Sequence, residues 1–211
     1  MLKDFHMPTS IMPKLDVTSL PREETGYSEQ LLYLSADTTT SLLSLGRQHR
    51  LTMNTIVMGA WALLLSRHSG QQDVLFGVVT SGRPPDLDGV ESMVGLFVNT
   101  LPMRIRVPRS DSISSWLEEV QRQQLEVQKY EYSSLAEVQQ WSGVARSEQL
   151  FESIFAFENA PAMANTRAKG GLDIQLAAAF EKTSYPLTIM AVVDSQLIQR
   201  ILYDDLPIDT A

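Results

Sequence analysis

The feature that most limits the fold is a helix-length run, apolar on nearly every side, followed almost at once by a strand-length apolar run. Residues 53–68 carry Ile56, Val57, Met58, Trp61, Leu63, Leu64 and Leu65 around Gly59, the pattern of a central buried helix. With roughly ten apolar residues it falls short of a membrane span. Ser69-Gly70 ends it, and Val74, Leu75, Phe76, Gly77, Val78 and Val79 follow between Asp73 and Thr80. A short apolar run between turn residues suits a strand buried on both faces.

The remaining segments extend this to a mixed α/β class. Residues 30–34 read as a short strand, and 36–49 as a helix with Leu42, Leu43 and Leu45 facing inward. Thr52 is the expected cap of the central helix. A helical turn near 90–94 precedes a second strand at 97–107, whose Pro102-Met103-Arg104-Ile105-Arg106-Val107 end alternates as a half-buried strand does. Ser110 or Asp111 can cap a helix carrying Ile113, Trp116, Leu117 and Val120, and a short helix is expected over 134–141. Strands are expected near 152–158, 187–193 and 196–203, the last two joined by a tight hairpin at Asp194-Ser195. Residues 1–28, with Pro8, Pro13 and Pro21, read as a linker leading into a domain at 29–211.

Composition excludes several functions. A chain of 211 residues with 44% hydrophobic and 20% charged residues has enough apolar mass to pack one domain. The formal charge of −8 disfavours nucleic acid and anionic membrane surfaces. No cysteine is present, which excludes disulfides, cysteine-ligated zinc and thiol nucleophiles. The opening residues contain no apolar core of a signal peptide, so a cytoplasmic location is expected.

Familiar catalytic patterns are absent. His6, His49 and His68 are followed four residues later by Ser10, Met53 and Gln72, so no HHxxxDG motif occurs. Ser81 is flanked at the two elbow positions by Val79 and Arg83 where a hydrolase needs glycines. No phosphate-binding glycine loop and no histidine pair at metal-ligand spacing is found, so neither a metal nor a directly bound cofactor is expected. Glu118-Glu119 and Asp204-Asp205 are adjacent acids that read as solvated surface, and Trp116 and Trp141 read as core.

Two segments do carry a resemblance. Asp73-Val74-Leu75-Phe76-Gly77-Val78-Val79-Thr80-Ser81-Gly82-Arg83-Pro84 is followed by Gly89-Val90-Glu91-Ser92-Met93-Val94-Gly95-Leu96-Phe97-Val98-Asn99-Thr100-Leu101-Pro102-Met103-Arg104. In order and spacing they closely resemble two consecutive core motifs of nonribosomal peptide synthetase condensation domains. Residues 130–141, 150–159 and 185–188 extend the likeness over nearly the whole chain. The resemblance implies half of a two-lobed fold similar to chloramphenicol acetyltransferase, a mixed sheet flanked by helices, with this chain as the C-terminal lobe and a final helix missing. It implies that the family's HHxxxDG loop belongs to the other, N-terminal lobe, so that this chain holds no catalytic residue of its own and is a fragment or an excised piece.

The resemblance also implies partners: the N-terminal condensation lobe, donor and acceptor carrier proteins bringing phosphopantetheine-linked thioesters through a tunnel between lobes, and a neighbouring adenylation domain. Ser81, Gly82 and Arg83 follow one strand, and Asn99 and Thr100 sit on a second, where hydroxyl, amide and cation can converge on a tunnel wall. Arg83 either contacts substrate or braces its loop, Asn99 either orients a carbonyl or stabilises a turn, and Arg104 either joins the site or faces solvent. The alternatives to an amide-forming condensation half are an epimerization or heterocyclization relative, a freestanding acyltransferase, and a noncatalytic carrier-docking module.

Overall fold

In a computed structural model, placement is described for residues 8–11, 27–84, 87–110, 112–144, 149–158 and 183–204. The elements are β1 (Tyr27–Tyr33), α1 (Ala36–His49), α2 (Met53–Ser69), β2 (Asp73–Thr80), β3 (Asn99–Arg106), α3 (Ile113–Gln128), α4 (Leu135–Ser142), β4 (Ser153–Glu158), β5 (Leu187–Val193) and β6 (Leu197–Asp204), with a 3-10 turn at Val90–Ser92. The strands form one sheet in the order β1-β6-β5-β4-β2-β3. The β2–β4 and β4–β5 pairs are parallel and the others antiparallel. The mixed sheet with flanking helices expected from sequence is therefore present.

Local chemistry sets the helix ends. Ser35, Thr52, Ser112 and Ser134 each accept a bond from the backbone three residues on, and Glu137 completes a capping box with Ser134. The α3 cap is Ser112 rather than Ser110; Asp111 lies outside the described residues. Gly70 and Gly143 end α2 and α4 in the left-handed conformation.

Every second residue of the sheet faces the helices. Val74, Phe76 and Val78 of β2, Leu101, Met103 and Ile105 of β3, and Phe155, Ile189, Ala191 and Leu197 pack with Met58, Trp61, Leu65, Val120 and Val127 in the main core. On the opposite face a smaller cluster gathers Leu150, Phe151 and Ile154 against Val79, Leu135 and Tyr185. The Phe151 and Tyr185 rings stack at 5.3 Å, and burial pushes the Tyr185 phenol pKa up.

Two expectations about leucines are corrected. The inward face of α1 runs through Thr39, Leu42 and Gly46, one helical turn apart, and leaves Leu43 and Leu45 exposed. Gly46 is needed there because a Cβ would stand 2.8 Å from the Leu51 carbonyl oxygen. On α2, Leu63 and Leu64 are exposed while Ile56, Val57, Met58, Trp61, Ala62 and Leu65 are buried. That helix is therefore covered on one broad side, not all round.

The segment read as a linker also contains a structural piece. Residues 1–7 and 12–26, including Pro13 and Pro21, lie outside the described residues, but Thr9 is buried. The Val107 N–H bond to Gln72 O, 2.7 Å long, continues the β2–β3 register and shows which alternate residues bond across that pair. Leu75 belongs to the other set, so its N–H points toward β4, which pairs with only Gly77 and Val78. Thr9 Oγ1 accepts this orphan N–H at 2.8 Å. Ile11 N–H donates to Glu152 Oε2 at 2.9 Å, and Ile11 O lies 2.7 Å from His68 Nε2. Thr9→Val removes the acceptor at nearly constant volume and leaves a buried N–H unmet, a loss of about 1–3 kcal/mol. Thermal melting of Thr9→Val and Thr9→Ser checks this; equal loss in both would show that the hydroxyl is not the stabilising group.

Candidate functional site

The segment joining β2 to β3 leaves and re-enters the sheet at the Thr80–Asn99 pair, so Ser81, Gly82, Arg83, Asn99 and Thr100 lie at one end of two adjacent strands. Gly82 has φ +62, and a Cβ there would stand 1.8 Å from Phe97 O. The left-handed backbone and the close approach both require glycine. Folding the chain back in this way places Arg83 inside its own loop. Its Nη1 donates to Val90 O, its Nη2 to Met93 O at 3.0 Å, and its Cζ lies 4.3 Å above the Phe97 ring. A planar guanidinium can make these three contacts together, two through its fork and one through its face. The Arg83 side chain thus braces the loop. Phe97, expected in a strand, leaves the sheet to serve as the floor of that contact.

The clasped loop turns apolar side chains outward. Val94 is 102% exposed and Leu96 94%, with Met93 and Val98 also exposed. Ser81 is exposed too, its Oγ accepting from Arg83 N–H at 3.4 Å.

Asn99 is held from three directions. Its Nδ2 donates to Glu131 O at 2.8 Å and to Ser133 O at 2.7 Å, while Oδ1 accepts from Thr100 N–H at 2.8 Å. These bonds tie the start of β3 to the α3–α4 connection, a role that sequence spacing alone does not reveal because the partners lie 32 and 34 residues away.

Arg104 does not join the cluster. It lies five residues further along β3, about 17 Å at strand rise, and forms a fork on Asp73 with Nε–Oδ1 at 3.0 Å and Nη2–Oδ2 at 2.7 Å. It does not simply face solvent, because the pair is partly buried and walls a groove of about 1350 Å³ along β3 and α3. Trp116 and Trp141, read from sequence as core, also line this groove; Trp141 is 69% exposed and Trp116 Nε1 donates to Arg106 O at 2.9 Å. Three groups on the free edge of β3 are unavailable to a further strand: Thr100 N–H is taken by Asn99, Pro102 has no N–H, and Arg106 O is taken by Trp116.

No group of three or more His, Asp or Glu among the described residues is arranged to hold a metal ion, and no described helix is long and apolar enough to cross a membrane. Three partly exposed acids are instead paired with neighbouring cations. The Arg122 guanidinium holds Glu119 below the usual carboxylate range, Lys129 does the same for Glu126, and Arg200 on β6 does so for Glu29 on β1.

The chain with these two strands, the glycine-turned loop between them and the held Asn99 matches the condensation-domain family model over residues 2–205. The chain belongs to the condensation-domain family. One of the linear gramicidin synthase proteins of Brevibacillus parabrevis is 44% identical over 220 residues, covering 100% of this chain and 4% of that protein. Chondramide synthase cmdD of Chondromyces crocatus is 40% identical over 207 residues, covering 97% of this chain and 5% of that protein. The chain thus spans a small part of the curated relatives it matches. Among solved structures, the condensation domain from Monacolin K polyketide synthase MokA matches with a TM-score of 0.71 at 18% identity, over 94% of this chain and 49% of that one. The first condensation domain of the calcium-dependent antibiotic synthetase, in complex with a substrate analogue, matches with a TM-score of 0.66 at 18% identity, over 85% and 39%. At such identities the likeness establishes the condensation-domain fold.

Proposed function

We propose that this chain is the C-terminal lobe of a condensation domain that forms amide bonds between carrier-bound aminoacyl or peptidyl thioesters in nonribosomal peptide biosynthesis. The observation that carries the reading is the clasped loop, described at 81–84 and 87–98, which is rigidified from inside by Arg83 and Gly82 while presenting apolar side chains outward at 93–98. A surface of that kind fits a partner, since isolated soluble domains rarely expose contiguous apolar side chains. The shares of 39% and 49% that the chain covers in two solved condensation-domain chains support an N-terminal lobe as that partner.

In this reading Ser81, Gly82, Arg83, Asn99 and Thr100 build one wall of the tunnel, and Arg104 supports its flank through Asp73. Phosphopantetheine arms of donor and acceptor carrier proteins enter the tunnel, so the chain needs no cofactor of its own. An adenylation domain neighbours it in a cytoplasmic assembly. Arg83 and Asn99 act through the loops they hold, because their side chains are already bonded to backbone carbonyls.

The test is a chimera in which this chain replaces the matching segment of the condensation domain in the linear gramicidin relative, assayed with loaded carrier proteins. Dipeptidyl thioester formation supports the reading, and a folded chimera that binds both carriers without turnover refutes it. In that chimera Arg83→Lys is expected to lower turnover about tenfold, the equivalent of some 1.4 kcal/mol, because an ammonium cannot make the fork and the ring contact together. Unchanged turnover would leave only a requirement for charge.

A further inference from the structure

We infer that Asn99 is a positioning residue that couples the clasped loop, described at 81–84 and 87–98, to the α3–α4 connection at 129–134, so that the two move as one unit. Its backbone closes the first: Asn99 pairs with Thr80, whose Oγ1 donates to Asn99 O at 3.4 Å. Its side chain fixes the second, both amide protons being spent on the carbonyls of Glu131 and Ser133. Within that connection the N–H groups of Tyr130, Glu131 and Ser133 bond to Val127, Gln128 and Tyr130, which winds the segment into successive turns. Ser133 is buried, whereas Tyr130 and Tyr132 are exposed. The clamp therefore holds the inward carbonyls and, through them, sets the direction of two outward tyrosines.

The chemistry requires a double donor. Two carbonyl oxygens face the same nitrogen, and the remaining amide oxygen meets an N–H. Among side chains of this size, asparagine supplies two donors and one acceptor from a single planar group. Aspartate is nearly isosteric but presents oxygen to both carbonyls, so it repels where asparagine binds. Serine can donate to only one of them.

Coupling also gives Tyr130 and Tyr132 a role. Amphipathic aromatic side chains contribute much of the binding at protein interfaces when they are held rigid. Their consequence for turnover rests on the condensation reading above, whereas the coupling itself is a property of this chain alone.

Hydrogen exchange on this chain, combined with steady-state kinetics on the chimera, tests both levels. In Asn99→Ala, exchange is expected to rise at least tenfold at the bonded amides of the connection, Tyr130, Glu131 and Ser133, and at those of the loop, Val90, Ser92 and Met93, with the β2 and β4 amides still protected. Asn99→Asp should exceed alanine and Asn99→Ser should fall below it, an order that separates a donor clamp from simple loss of volume. If alanine proves too unstable, the aspartate and serine pair carries the comparison. Uniform acceleration throughout the chain, or the wild-type pattern in Asn99→Asp, would overturn the coupling. In the chimera, Asn99→Asp is expected to raise KM for carrier-bound substrate more than it lowers kcat. Altered exchange with unaltered kinetics would retain the clamp and overturn its part in turnover, whereas a parent chimera without turnover would remove the condensation reading and leave the clamp to be judged by exchange alone.

Discussion

Valine at Gly77 lowers the stability of this domain by about 3 kcal/mol, at the upper end of what overpacking a core costs. Gly77 sits on the sheet face away from the main helices, paired with Ile154 of the parallel neighbour. A Cβ there would lie 2.4 Å from Phe151 Cε2 and 2.8 Å from Ile154 Cγ2. Neither neighbour yields easily: Phe151 is fully buried and stacked on Tyr185, and Ile154 belongs to a strand paired on both sides. A glycine inside a strand normally weakens it, so alanine in open space would stabilise by about 0.5–1 kcal/mol. Crowding reverses that sign here. For a domain of this size, about 3 kcal/mol corresponds to a fall in melting temperature of roughly 6–12 °C. Phe151→Leu in the same chain opens room on one side of the glycine, so the double mutant should lose less than the sum of the single losses. A Gly77→Val protein melting within two degrees or so of the parent would show that the ring moves freely and that the glycine is not required by packing.

The legible parts of the fold were those set by local pattern. Helix α1 and strand β5 fall where periodicity places them, and the cap at Thr52 follows from a hydroxyl standing before an apolar run. What was not legible depends on partners distant in sequence. The inward face of α1 uses a threonine and a glycine because Thr39 Oγ1 accepts from Leu197 N–H, a contact 158 residues away. Strand β1 starts earlier than its apolar residues because Tyr27 and Ser28 pair with Asp204 and Tyr203. Thr9 reads as linker since no local signal announces that it fills a gap between β2 and β4. At the site, adjacency of Ser81–Arg83 to Asn99–Thr100 was readable from two motifs on consecutive strands. The direction of Arg83 into its own loop and of Asn99 toward α3–α4 was not, because either side chain could equally have faced a ligand.

Incubated with donor- and acceptor-loaded carrier proteins, this chain by itself is expected to form dipeptidyl thioester at least about a thousandfold more slowly than the chimera. In the condensation reading, the acceptor amine attacks the donor thioester carbonyl, a C–N bond forms, and the amine must shed a proton while the C–S bond breaks and the thiolate leaves. The side chains gathered at this end of the two strands are Ser81, Arg83, Asn99 and Thr100: two hydroxyls, an amide and a guanidinium engaged at Val90 O and Met93 O, with no imidazole or carboxylate among them. His68 is engaged at Ile11 O, at the far end of α2, and the raised Tyr185 pKa leaves a phenol rather than a base. General acid–base assistance contributes about two to four powers of ten, and holding two substrates in line contributes more. An open loop with Val94 and Leu96 in solvent supplies neither, and such a surface should also make the free chain self-associate, which light scattering would register. Mass spectrometry of the carrier-bound product gives the rate, with the chimera as the reference in the same buffer. Product from the free chain at the chimera's rate would mean that a residue of this chain handles the proton, and Ser81→Ala and His68→Gln would then be the first variants to identify it.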